Sequence, residues 1–253
     1  MIEITNLSKN YGTKKALQNL NLKIEPGKIF GFLGHNGAGK STTIKTLVSI
    51  HNPTSGTVTV DGLDLAEHRQ EIKRKIAYVP DTPDIFLQLS ATEYWDLLVA
   101  AYQLDRDAVQ SRLQKLITLF DMNFHVDETL SSFSHGMRQK AILIGALMTD
   151  PDIWILDEPM QGLDPQAAFD LKKLMQDHAQ KGKTVIFSTH NLDTAEQLCD
   201  ELAILKKGQL IYNGSVQDLL NQHENKTLEQ VYLEMAGRSD SKIMDELEGG
   251  GHE

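Results

Sequence analysis

Apolar and polar positions along this chain change period several times, and each change marks an element. Ile2-Glu3-Ile4 and Leu20-Asn21-Leu22-Lys23-Ile24 alternate, the pattern of strands with one buried face. Glu25-Pro26-Gly27 is a turn, and Lys28-Ile29-Phe30-Gly31-Phe32-Leu33 after it reads as a fully buried strand. A helical spacing takes over at 41–50, and Asn52-Pro53-Thr54-Ser55-Gly56 then turns the chain. Thr57-Val58-Thr59-Val60 reads as a strand, Asp61-Gly62 as a hairpin turn, and Ile76-Ala77-Tyr78-Val79 as a short strand closed by Pro80. From about 84 to 150 the helical period dominates, at 94–102, 113–120 and 141–148. Strand patterns return at Ile153-Trp154-Ile155-Leu156, Thr184-Val185-Ile186-Phe187 and Glu201-Leu202-Ala203-Ile204-Leu205, with helical stretches between them. Asp164-Pro165 opens one helix with a capping side chain and a proline at the first position.

These patterns predict an α/β fold with a mostly parallel sheet. The expected core spans 1–82, including an N-terminal antiparallel β part, and 151–222; a helical subdomain over 83–150 is inserted into it. Leu228, Val231, Tyr232 and Met235 share one face of a last helix, which is expected to dock on the body within 223–236. From Gly237 the chain turns to Ser, Asp, Glu and Gly, which predicts a disordered tail over 237–253.

The strand ending at Leu33 runs into Gly34-His35-Asn36-Gly37-Ala38-Gly39-Lys40-Ser41, which fits Gly-x-x-x-x-Gly-Lys-Ser between a strand and a helix. Glycines let successive backbone N–H groups turn inward around phosphate oxygens, and the helix starting there adds the positive end of its dipole. The expected phosphate-binding set is Gly34, His35, Asn36, Gly37, Ala38, Gly39, Lys40, Ser41 and Thr42. Lys40 is expected at the β- and γ-phosphates of ATP and the Ser41 hydroxyl on Mg²⁺. This makes the core a P-loop NTPase. A Gly-rich turn with a surface lysine is the plainer reading, and the strand and helix on either side count against it.

Ile153-Trp154-Ile155-Leu156-Asp157-Glu158 ends an apolar strand in two carboxylates. Side chains alternate across a strand, so the two can do different work: Asp157 suits Mg²⁺, directly or through water, and Glu158 suits a base for the attacking water. Alone, such a pair is usually a solvated loop start. With a phosphate loop upstream, a parallel sheet brings both to the same edge. His190, after Phe187-Ser188-Thr189, emerges at that edge too and is placed to contact the γ-phosphate.

Composition narrows the partners. The 253 residues are 40% hydrophobic and 24% charged, an ordinary globular balance, and the net charge of −10 without a Lys/Arg stripe argues against nucleic acid. No apolar run approaches the roughly 18 residues of a membrane span. Met1-Ile2-Glu3-Ile4 does not look like a secretion leader, which points to the cytoplasm. The single cysteine, Cys199, excludes an internal disulfide and is expected to be a small core residue on a helix.

Beyond the phosphate loop, four motifs occur in order: Ser134-His135-Gly136-Met137-Arg138-Gln139, Leu156-Asp157-Glu158-Pro159, Gly162-Leu163-Asp164 and Ser188-Thr189-His190. Over roughly residues 1 to 236 the chain resembles the nucleotide-binding subunit of an ATP-binding cassette (ABC) transporter, the four being like the signature loop, the acidic strand end, the D-loop and the switch histidine. The resemblance implies two subunits facing head to tail around two ATPs, with Ser134 and Gly136 of one reaching the γ-phosphate held by the other. Read alone, Ser134 is a plain helix cap. Tyr11 matches the position where the family stacks an aromatic ring on adenine. Asp81 stands where the family usually places a glutamine that senses Mg²⁺; the resemblance gives Asp81 the metal's water shell. The Ser-x-Gly-Met-basic-Gln pattern is similar to an exporter-type (ABC-2-like) branch.

The implied function is ATP hydrolysis that drives an integral membrane permease on a separate chain, at the cytoplasmic face of the membrane, in the direction of export. The second ABC subunit is either a twin or a sister chain. Ile85 and Phe86 are candidates for the contact with the permease. The alternative is a regulatory or structural ABC ATPase that acts on a membrane protein without moving a substrate.

Overall fold

The computed structural model describes residues 1–223 and 225–236; the stretch read from sequence as a disordered tail lies outside the described residues. The first half holds β1 (Ile2–Tyr11), β2 (Lys14–Ile24), β3 (Ile29–Leu33), α1 (Lys40–Leu47), β4 (Ser55–Val60), β5 (Leu63–Asp64), α2 (Arg69–Lys75), β6 (Ile76–Val79), α3 (Ala91–Tyr102) and α4 (Arg106–Leu119). A 3₁₀ turn (Leu130–Ser132) leads to α5 (His135–Met148), β7 (Ile153–Asp157), α6 (Pro165–Gln180), β8 (Thr184–Thr189) and α7 (Leu192–Leu198). The chain continues through β9 (Glu201–Lys206), β10 (Gln209–Ser215), α8 (Val216–Gln222) and α9 (Leu228–Met235).

The strands form two sheets. An antiparallel sheet has the order β2-β1-β4-β5, and a second has the order β10-β9-β3-β8-β7-β6, parallel except for β10. Its central strands β3, β8 and β7 are buried on both faces, which is why they read as continuous apolar runs. Period-two alternation still sorts their side chains. Phe30, Phe32, Ile153, Ile155 and Ile186 face the antiparallel sheet and α1, with Ile4, Leu20 and Ile44. Ile29, Leu33, Trp154, Leu156, Val185 and Phe187 face the other way, into a core shared with α3, α5 and α6. Register then aligns the ends: Leu33 lies beside Thr189 and Asp157 beside Ser188, so the carboxyl ends of β3, β7 and β8 reach one edge together.

Between β6 and β7 the described residues form helices and no strand. Ser90 starts α3 with a reciprocal capping box to Glu93, and Trp95 donates its indole N–H to the Ala141 carbonyl at 2.9 Å. Gly145 lets α5 press against α3: a Cβ there would stand 2.7 Å from Leu98 and 2.8 Å from Tyr94. Trp95, Leu116 and Ile142 join the same apolar cluster as Trp154 and Phe187, so the helical insert and the sheet share one core.

The structure departs from the sequence expectation in several places. The helical spacing assigned from residue 84 begins only at Ala91, and 120–129 is also outside helix. Strand β10 was not anticipated; it is an edge strand, only partly buried, that follows a tight turn in which Lys207 and Gly208 both have positive φ. Helix α2 buries only Ile72, so its period is invisible among its charges. Strands β1 and β2 run further than their alternation because register shifts between Ile4 and Leu7, and again before Asn10, break the pattern. Cys199 follows the last turn of α7 rather than lying within it, and its thiol packs where a Cβ on Gly31 would stand.

His178 of α6 is 7% exposed, its ring edge-on to Trp154 with centroids 5.7 Å apart, and its Nε2 has no hydrogen-bond partner among the described residues. Burial, helped by the Lys183 charge, pushes its pKa down to about 4 from 6.5. The folded value lies below the unfolded one, so His178 contributes stability that is present above pH 6.5 and lost as pH falls toward about 4. The loss amounts to about 3 kcal/mol at most. His178→Leu is expected to flatten that slice of the profile: between pH 7 and pH 4.5 the urea midpoint should fall less in the variant than in the wild type, and equal falls would contradict the assignment.

Candidate nucleotide site

The phosphate loop is set by where β3 stops and how α1 starts. Gly39 precedes α1 at φ 117°, a conformation that disfavours any side chain. It also packs tightly, since a Cβ there would lie 2.8 Å from Leu17 Cδ2 and 3.1 Å from the Ala16 carbonyl. No side chain caps α1. By contrast, Ser90, Asp105, Ser134, Asp164, Asn191, Ser215 and Thr227 each cap the helix that follows them. The start of α1 therefore keeps N–H groups and a positive dipole end for an anion.

This helix end opens onto a cleft of about 410 Å³. Of the residues singled out from sequence, Tyr11, His35, Asn36, Gly37, Gly39, Lys40, Ser41, Thr42, Asp81 and Glu158 line it. Lys14, Ala16 and Gln161 line it as well, and nothing in the sequence pattern marked them. Gly34 and Ala38 form the underside of the loop: the Gly34 carbonyl accepts from Lys40 Nζ at 2.7 Å, and the Ala38 carbonyl from Gly208 N at 2.8 Å. Tyr11 stands at the rim, 43% exposed, with Lys9 Nζ 5.1 Å above its ring centroid.

The acidic strand end is wired into the loop. Asp157 is fully buried, and one of its carboxylate oxygens accepts from Ser41 Oγ at 3.1 Å and from Ser188 Oγ at 2.5 Å. Its other oxygen, Oδ2, is buried with no partner among the described residues. Burial raises the Asp157 pKa, against the two serine hydrogen bonds. An unpartnered carboxylate oxygen next to a serine hydroxyl is a donor set that fits a hard divalent cation such as Mg²⁺. Asp81 lies nearby at the rim, 4.0 Å from Lys45 Nζ.

Glu158 has φ 49°, a left-handed conformation that costs a non-glycine residue energy and that clusters at functional sites. Its backbone N–H donates to Ser188 Oγ at 3.0 Å. Its carboxylate lies 3.4 Å from Lys40 Nζ through one oxygen and 2.9 Å from His190 Nδ1 through the other. Lys40, Glu158 and His190 are thus brought together, with Lys40 only 5% exposed. Ser188 joins Asp157 to the Glu158 backbone; its sequence signal was only its place before Thr189-His190.

Ser134 and Gly136 do not line the cleft. Ser134 caps α5, accepting from Met137 N at 3.3 Å. Gly136 packs so tightly on the Gly162 carbonyl that a Cβ would overlap it, and a Cβ on Gly162 would overlap the His135 ring. Lys140 pairs with Asp164 at 2.7 Å, and Gln139 donates to the Pro159 carbonyl at 3.3 Å. The start of α5 is therefore locked to the chain between Pro159 and Asp164. Ile85 is half-buried and Phe86 is exposed, its ring tilted against Tyr94 at 5.8 Å.

A family model described as ABC transporter matches residues 17–161, a span from β2 to beyond the acidic strand end. The chain is 33% identical over 237 residues to the ABC-type transporter ATP-binding protein EcsA of Bacillus subtilis, covering 93% of this chain and 96% of that one. A solved ATP-binding subunit of an ABC transporter superposes with a TM-score of 0.89 at 32% identity, covering 93% of this chain and 99% of the other. A bacterial ABC transporter cassette, MJ0796, solved as a dimer, matches with a TM-score of 0.77 at 25% identity over 85% of this chain and 99% of its own. Motifs, fold and relatives agree, and the chain belongs to the ABC transporter family, as an ATP-binding and ATP-hydrolysing subunit.

Proposed function

We propose that this chain works as one of two nucleotide-binding subunits that face each other head to tail at the cytoplasmic side of a membrane and drive a separate membrane-spanning chain in export. The observation that carries the reading is the cluster of Lys40, Ser41, Asp157, Glu158 and His190 around the uncapped start of α1. Its transport setting rests on membership of the family and on the likeness of Ser134–Gln139 to an exporter-type signature. No described helix is long and apolar enough to cross a membrane, and the reading assigns the membrane path to a partner chain.

In this reading the backbone N–H groups of the phosphate loop and the Lys40 ammonium hold the β- and γ-phosphates of ATP and stabilise the charge that builds up during transfer. Ser41 and Asp157 hold Mg²⁺, which supplies neutralising charge on the phosphate oxygens. Glu158 orients a water molecule and takes its proton, while His190, held against Glu158, fixes that carboxylate and faces the γ-phosphate. Tyr11 packs on the adenine, and Asp81 reaches the water shell of the cation. Ser134 and Gly136 complete the phosphate site of the opposite subunit, so ATP closes the pair and hydrolysis reopens it.

Four outcomes are expected. Glu158→Gln should lower phosphate release by about 10²- to 10⁴-fold while Mg·ATP still binds. Lys40→Ala should weaken ATP binding itself by roughly ten- to a hundredfold, measured by equilibrium titration; unchanged activity in either variant sinks the site assignment. With Glu158→Gln and ATP, sedimentation should show a dimer that Ser134→Arg abolishes, and a dimer indifferent to Ser134 would refute the head-to-tail arrangement. In proteoliposomes with the membrane chain it co-purifies with, substrate efflux should stop with Glu158→Gln; ATPase activity without any flux would favour the regulatory alternative.

A further inference from the structure

The last helix does more than cover the core. The Tyr232 side chain of α9 is buried, and its ring meets the ring of His35 edge-on, centroids 5.3 Å apart and planes at 64°. His35 follows Gly34 in the phosphate loop, lines the nucleotide cleft and is itself exposed. Both ends of α9 are tied down close by. At its start Leu228 N donates to the Glu196 carboxylate of α7 at 2.8 Å, and α7 begins just after His190. At its end the Ala236 carbonyl accepts from Lys206 Nζ at 2.7 Å. Lys206 follows Leu205, whose carbonyl lies so near Gly34 that a Cβ on the glycine would be 2.5 Å from it. The helix therefore reaches from the segment behind His190 to the phosphate loop.

We propose that α9 braces the phosphate loop and that Tyr232 is a positioning residue for ATP binding, acting through His35. The inference rests on the cleft being the ATP site. Gly34, Gly37 and Gly39 give the loop the freedom to turn its N–H groups inward, and the same freedom makes ordering it around a phosphate costly. A ring seated on His35 narrows the conformations of the loop before the nucleotide arrives, which is where preorganisation yields affinity. Because His35 faces solvent, its contact with Tyr232 adds little to the core. Its effect falls on the shape of the loop.

The test is a double-mutant cycle on Mg·ATP affinity with the full chain, with melting temperature read in parallel and Lys40→Ala as control. Edge-to-face pairs are worth enough that Tyr232→Leu and His35→Ala should each weaken binding by about two- to twelvefold. The double variant should bind no more weakly than the worse single one, because both remove the same contact. Tyr232→Phe keeps the ring and should recover most of the affinity that Tyr232→Leu loses. In phosphate release, Tyr232→Leu should raise KM for ATP and leave kcat within about twofold, the split expected when ground-state binding alone is lost. A Tyr232→Leu variant that melts earlier but binds ATP normally overturns the proposal, as do additive losses. If Tyr232→Leu does not fold, His35→Ala decides: unchanged affinity there is equally fatal. Wild type that binds Mg·ATP no better than Lys40→Ala would instead remove the nucleotide-site reading, and the brace with it.

Discussion

A carboxylate with no exposure to solvent is the constraint around which the site is built. Burying Asp157 in its charged form costs several kcal/mol unless other groups replace its water. Two segments supply those groups: Ser41 from α1 and Ser188 from β8 both reach the same oxygen, and Ser188 also takes the N–H of Glu158. Three pieces of chain far apart in sequence are thereby held in register, and the strained backbone of Glu158 is fixed among them. The compensation is one-sided, because Oδ2 has no partner among the described residues and burial still raises the pKa. The feature that makes this residue expensive to fold around is the one that suits it to a divalent cation.

The packing around that carboxylate ties the nucleotide site to the helical insert. Helices α3 and α5 share an apolar cluster with β7 and β8, so the insert cannot shift without repacking Trp95, Ile142 and Trp154 against the sheet. The acidic strand end is also connected to α5 by polar contacts, Gln139 to Pro159 and Lys140 to Asp164. Contacts thus run from the end of β7 to α5, and from α5 through Tyr94 to the exposed Phe86.

Much of this was legible in the sequence wherever function and fold use contiguous residues. The phosphate loop, Asp157-Glu158 and His190 each sit at the end of a buried strand, and apolar runs reveal such strands without an alignment. What escaped was long-range or one-sided. Strand β10 lies at a sheet edge, where partial burial blurs the alternation, and only Lys207-Gly208 marked its turn. Ser188 looked like a spacer because its role depends on the register between β7 and β8. The meeting of His35 and Tyr232 requires the chain to return from its far end, which no local pattern encodes. Ser134 was ambiguous for a different reason: its hydroxyl caps α5, and a cap satisfies the same sequence pattern as a contact across an interface.

The close approach of Gly136 and Gly162 limits how either loop can vary. A methyl group at 136 would have to push the Gly162 carbonyl outward, and the displaced peptide lies two residues before Asp164, the cap of α6. A methyl at 162 would meet the His135 imidazole from the opposite side. The two segments are thus packed as one plate, which ties the front of α5 to the front of α6. In a paired assembly, such a plate would deliver both of its edges to the neighbouring molecule in one stroke.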